Sequence, residues 1–147
     1  MVKSGGKLLG EYSHNVDSKR RIFIPVDFRI ATTWVLTAGL EKCLFLFPED
    51  EWVKITEKIS GLPLTKKDAR SFLRVLLSRA RSLSCDKQGR IVIPEKLAEY
   101  ADISSSCTII GMISRAELWN TENWQNFYAQ SESNYSDLAE SIAELDL

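Results

Sequence analysis

Two charged pairs, Asp17 with Arg21 and Asp86 with Arg90, stand at one spacing in a phrase written twice: Asp17-Ser-Lys-Arg-Arg21-Ile-Phe-Ile-Pro25 and Asp86-Lys-Gln-Gly-Arg90-Ile-Val-Ile-Pro94. A carboxylate and a guanidinium brought together by a tight turn can act in two ways. They can close on each other as an ion pair that fixes the turn or a contact between subunits. Alternatively, the guanidinium can grip a phosphate or a guanine edge bidentately. The aspartates suit the first role, because an anion facing nucleic acid is repelled, and Arg21 and Arg90 suit the second. Lys19, Arg20 and Lys87 at the tips are flexible cations, better fitted to phosphate than to base reading. A hairpin of this kind is expected to enter a major groove as a two-stranded ribbon.

The elements that must carry these turns are also written twice. Downstream of the first phrase lies Leu44-Phe-Leu-Phe-Pro48-Glu-Asp-Glu-Trp52, and downstream of the second Ala116-Glu-Leu-Trp-Asn120-Thr-Glu-Asn-Trp124. The phrases are offset by 69 residues and these later landmarks by 72, which reads as an internal duplication. In each copy the turn leads into a short β-favouring run. Pro25 or Pro94 ends that run and suits the first position of a short helix. After Pro94, Glu95 favours a helix N-terminus and Leu97, Ala98 and Ala101 fall on one face. Strand-like runs at Trp34 and Cys107 follow, then strands that enter helices at Pro48 and at Asn120, the latter a good N-cap. Each unit is therefore strand, helix, strands, helix.

Between the copies, Lys66 to Arg81 forms a basic amphipathic helix. Ala69, Phe72, Leu73, Leu76, Leu77 and Ala80 make an apolar stripe, Lys66, Arg70 and Arg74 line another side, and Thr65 and Asp68 stand at capping-box spacing. Its stripe is expected to cover one or both units, and its charges either to face solvent or to touch nucleic acid.

Other chemistries find little support. The one histidine, His14, reads as structural or surface, since a catalytic arrangement needs an orienting carboxylate. There is no phosphate-cradling glycine loop and no metal-ligand spacing, so neither cofactor nor metal nor small-molecule substrate is expected. Cys43, Cys85 and Cys107 are odd in number and read as buried thiols. Trp34, Trp52, Trp119 and Trp124 read as core.

Composition fits an ordinary soluble protein, without a long apolar run, and predicts a cytoplasmic location with no membrane contact. Net charge is −1, yet Met1 to Arg115 hold all 19 basic residues against 13 acidic ones, while Ser131 to Leu147 hold five acidic residues and no Lys or Arg. Tyr135, Leu138, Ile142 and Leu145 recur at helical spacing in that acidic end, which reads either as a docking helix or as disorder.

Gly10-Glu-Tyr-Ser-His14 before the first phrase, Leu40-x-x-Cys43-Leu with Pro48 and Trp52, the Leu62-Pro63 break, the Arg70 to Leu77 helix and Glu117-Leu-Trp119 after the second phrase together resemble the MraZ family of bacterial transcriptional regulators. The likeness runs from about Leu9 to about Trp124. It implies an α+β fold of AbrB type, a tandem duplication forming a double-split β-barrel with helices packed at its ends. The expected division is an extension at 1–8, repeats at 9–62 and 81–128, a basic linker helix at 63–80 and an acidic tail at 129–147.

The resemblance further implies a nucleoid-associated, non-enzymatic regulator, a repressor in expectation. It would bind repeated double-stranded DNA boxes ahead of the division and cell-wall operon as a ring-like homo-oligomer. The alternative is a protein–protein scaffold linked to cell division. Sequence leaves open the subunit number, the box sequence and the sign of regulation. One position departs from the family: the turn glycine is kept as Gly89 in the second copy but is Arg20 in the first. If that position needs φ > 0, Arg costs on the order of 1 kcal/mol there, so either the first turn differs in shape or its charge offsets the strain through DNA.

Overall fold

A computed structural model describes residues 7–145. Strands β1 (Glu11–Asn15), β2 (Arg21–Phe23), β3 (Thr33–Ala38) and β4 (Leu44–Pro48) precede helices α1 (Glu49–Ser60) and α2 (Lys67–Arg79). Then come β5 (Arg81–Ser84), β6 (Arg90–Val92), α3 (Glu95–Ala101), β7 (Ser106–Gly111), β8 (Ala116–Trp119), α4 (Thr121–Ser133) and α5 (Tyr135–Glu140). The fold is α+β, with strands of two tandem units mostly in one antiparallel sheet.

That sheet has the order β1-β7-β8-β4-β3-β5, and β2 pairs with β6 in a separate two-stranded ribbon. The first strand of each copy therefore joins the sheet of the other: β1 lies on β7, and β5 on β3. The registers are those of a pseudo-two-fold axis. In the ribbon, Ile22 faces Ile91, Arg21 faces Val92 and Phe23 faces Arg90. In the sheet, Phe45 faces Glu117 between the Leu44–Leu118 and Leu46–Ala116 pairs. Duplication thus produces one interlocked core rather than two.

Side chains alternate between faces along a strand, and the inward set of both sheets meets in that core. It includes Ile22, Ile24, Trp34, Leu36, Leu44, Leu46, Ile91, Ile93, Ile109 and Leu118. The outer side of the large sheet is covered by helices at equivalent places. Trp52 of α1 packs on Phe47, ring centroids 5.5 Å apart, and Trp124 of α4 packs on Trp119, also at 5.5 Å. Helix α2 lies on β3 through Leu73 and Leu76, and the buried Thr37 hydroxyl donates to the Leu76 carbonyl at 2.5 Å.

Several local expectations need correction. Pro25 is followed by a single 3-10 turn, Val26–Phe28, rather than an α-helix like α3. Seven residues separate Pro25 from β3 against eleven between Pro94 and β7, and β-branched Ile30 and Thr32 replace the good helix formers of Glu95–Ala101. Pro25, Pro48 and Pro94 cap their helices from the position before the first turn. Thr65 does not cap α2, whose N-cap is Lys66 with no side-chain bond. Only Leu73 and Leu76 of the α2 stripe are buried, while Phe72 and Leu77 of the stripe are exposed, as is the neighbouring Val75.

At the ends, Leu8 of the 1–8 segment is fully buried and exchanges backbone hydrogen bonds with Ile113. Gly111 is pressed against this strand so closely that a Cβ would lie 2.5 Å from the Leu8 carbonyl carbon. Residues 1–6 and 146–147 of the extension and tail lie outside the described residues. The described part of the tail is α5 followed by turns, with Tyr135, Leu138, Ile142 and Leu145 exposed. Among the described residues no helix is long and apolar enough to cross a membrane.

Candidate nucleic-acid interface

Each Asp-x-x-x-Arg unit folds into the same turn. Asp17 Oδ1 accepts from the backbone N–H of Lys19 (2.9 Å) and Arg21 (2.8 Å), and Asp86 Oδ1 accepts from those of Gln88 and Arg90 (both 2.9 Å). The second carboxylate oxygen takes the arginine Nε, at 2.6 Å from Arg21 to Asp17 and 2.8 Å from Arg90 to Asp86. Backbone N–H donors and the paired guanidinium stabilise the charged carboxylate, so both aspartate pKa values lie below the ordinary 3.8. The aspartates are the turn's organisers, tied to Arg21 and Arg90.

The turns are not the tips of hairpins. β1 and β2 flank the first turn but lie in different sheets, as do β5 and β6 around the second. Each turn instead delivers its strand to the ribbon that the copies build jointly. Because Ile22 and Ile91 face the core, Arg21, Phe23, Arg90 and Val92 share the outer face. Phe23 is 40% and Val92 46% exposed there, and the Arg90 guanidinium sits 5.8 Å from the Phe23 ring centroid. An antiparallel ribbon carrying two guanidinium groups on an exposed face has the dimensions a major groove admits. Lys19 and Lys87 are exposed on the turns.

The structure settles the shape of the first turn. Arg20 adopts φ 60° and Gly89 φ 84°, so the two turns match in conformation. Nor is Arg20 a free tip: its Nε donates to the Ile93 carbonyl at 2.9 Å. In the other turn the equivalent carbonyl, that of Ile24, accepts from Arg29 Nε, also at 2.9 Å. The Arg29 guanidinium lies over Gly89 so closely that a Cβ on Gly89 would be 2.5 Å from Arg29 Cζ. With the copies offset by 69, Arg20 corresponds to Gly89, and Arg29 to the buried Ala98. Each turn therefore carries one guanidinium on an equivalent carbonyl, and the first copy supplies both, Arg20 from its own turn and Arg29 from just beyond the 3-10 turn.

Sequence reasoning missed Arg29, Phe23 and Val92. The signal for Arg29 was its exchange against Ala98 at the repeat offset, coupled to the Arg20 and Gly89 exchange. Arg29, Thr32, Asp86, Lys87 and Gly89 line an open cleft of about 520 Å³, with Cys85 at its side. Burial pushes the Cys85 thiol above its ordinary pKa of 9.0, as it does Cys43 and Cys107, each to about 12, and none of the three is in a disulfide. His14 is half-buried beside Phe23, ring centroids 6.5 Å apart, with its Nε2 unpartnered. Among the described residues no group of His, Cys, Asp and Glu could hold a metal ion.

A family model described as "MraZ protein, putative antitoxin-like" matches the chain twice, over residues 8–75 and 76–145. The junction between the two matches falls inside α2.

Proposed function

The chain belongs to the MraZ family, and from that premise we propose that it is a non-enzymatic, sequence-specific DNA-binding regulator of transcription. The observation that carries the proposal is the outer face of the β2–β6 ribbon. Arg21 and Arg90 stand there about a pseudo-two-fold axis, each guanidinium held by an aspartate through its Nε. The two terminal amino groups of each guanidinium remain available to a phosphate or to guanine O6 and N7. Lys19 and Lys87 add phosphate contacts from the turns. In keeping with the resemblance of its motifs, its targets are repeated promoter boxes ahead of the division and cell-wall operon, where it acts as a repressor in the nucleoid.

A protomer of net charge −1 binds DNA weakly through bulk charge. A homo-oligomeric ring multiplies the ribbons along successive boxes and converts later contacts into intramolecular ones. Exposed Leu64, Phe72, Val75 and Leu77 on and beside α2 supply apolar surface for such contacts. The same surface is what favours the second reading, a scaffold that holds cell-division partners.

The deciding experiment compares the duplex upstream of the protein's own gene with a shuffled duplex of equal length over a salt series. A site preference that persists as salt rises, with log affinity falling linearly in log salt, is the expected result. Equal affinity for both duplexes, lost at modest salt, overturns it in favour of the scaffold.

A further inference from the structure

We propose that Arg20 and Arg29 form a second pair of phosphate contacts, one at each end of the β2–β6 ribbon, with Arg29 acting from the cleft beside Gly89. The proposal rests on the DNA-binding reading and adds to it a site outside the repeated motif.

The geometry is a compensated exchange. In the ribbon, the Ile24 N–H donates to the Gly89 carbonyl and the Ile93 N–H to the Arg20 carbonyl, both pairs closing the ladder beyond its three registered positions. Arg29 is anchored at the Ile24 end and Arg20 at the Ile93 end. Four strand steps separate these ends, about 13 Å at the usual rise. The major groove is about 12 Å wide. A ribbon lying in it with Arg21 and Arg90 toward the bases would present one further guanidinium to each phosphate rim.

Neither guanidinium is consumed by its anchor. Arg20 and Arg29 each use Nε on a carbonyl, and neither forms an ion pair among the described residues. A carbonyl does not neutralise a cation, so the charge stays available. The carboxylate that lines the cleft, Asp86, already accepts from Gln88 N–H, Arg90 N–H and Arg90 Nε. Lys87 faces the same cleft. Holding Nε fixed also reduces the side-chain entropy lost when the terminal amino groups meet a phosphate. That two unrelated sequence positions converge on one carbonyl site is the reason to assign a shared role beyond turn closure.

The test measures the salt dependence of duplex binding by fluorescence anisotropy for Arg29→Gln, Arg20→Gln and their combination, alongside thermal unfolding. Gln retains an N–H donor for the carbonyl but not the charge. Each single variant is expected to reduce the slope of log affinity against log salt by about 1, and the pair by about 2. Arg29→Lys, which keeps charge and loses the planar anchor, should retain the wild-type slope. A wild-type slope in Arg29→Gln, even with a lowered unfolding midpoint, would mean that Arg29 only closes the turn. A slope lowered as much by Arg29→Lys as by Arg29→Gln would also overturn the proposal, since the charge would then not be the active feature. Both outcomes are distinguishable from failure of the underlying reading, in which the wild-type protein itself shows no site preference.

Discussion

Ile22 lies directly opposite Ile91 at the centre of the β2–β6 ladder, and both side chains are fully removed from solvent. Each copy thus contributes half of one packed contact on the pseudo-two-fold axis. Ile22→Ala and Ile91→Ala are each expected to destabilise the fold by about 2–5 kcal/mol. Because the residues touch through one shared site, the double variant should depart from additivity by about 0.5–3 kcal/mol. Urea unfolding of the four proteins measures this, and strict additivity would contradict a shared core.

Gly89 is held at φ 84° beneath the Arg29 guanidinium, so a methyl group there meets two penalties. Gly89→Ala is expected to cost about 1–2 kcal/mol from the backbone and the displaced side chain together. In an Arg29→Ala background the same change should cost less, because only the backbone penalty remains. Chemical denaturation of the cycle reads the difference directly.

Arg21→Ala combined with Arg90→Ala should abolish duplex binding while the proposed oligomer, followed by light scattering, survives. The lost ion pairs are partly exposed and contribute little to folding. Asp17→Asn with Asp86→Asn tests the opposite sign. It keeps the Oδ1 acceptors of the turns but removes two anions beside the proposed DNA face, so affinity at low salt should rise. Dissociation of the arginine double variant into monomers would mark these residues as assembly contacts instead.

Alkaline pH should weaken the fold through its thiols. Burial raises Cys43 and Cys107 from an ordinary 9.0 to about 12, so the folded state holds its protons where the unfolded chain releases them. Their contribution is complete below about pH 9 and declines as pH rises toward about 12. The urea midpoint in reducing buffer should fall between pH 8.5 and about 10, and fall less steeply in Cys43→Ala. The aspartates act at the other extreme: their lowered pKa values give stability that is present above 3.8 and lost as pH drops further.

The duplication was legible because whole elements recur at two offsets, and α1 and α4, β4 and β8, and the two turns all fall where the repeats put them. Strand partners were not legible. Local alternation marks Ile22 and Ile91 as inward, but it cannot say that β2 pairs with β6 rather than with β1, because register over three residues is a tertiary choice. The short 3-10 turn was foreshadowed by the change of offset from 69 to 72 and by Ile30 and Thr32. Arg20 was legible as an oddity, and its explanation required Arg29, whose position only the folded chain reveals.

The crossing of β1 onto β7 and β5 onto β3 has a consequence for how the barrel responds to dilution. Two separate half-chains would need to meet before either core could close, and their folding would fade at low concentration. Here α2 joins the halves covalently, so the ribbon and its guanidinium groups assemble within one molecule at any concentration. Dilution would then dismantle the proposed ring into protomers without unmaking the ribbon that each protomer carries.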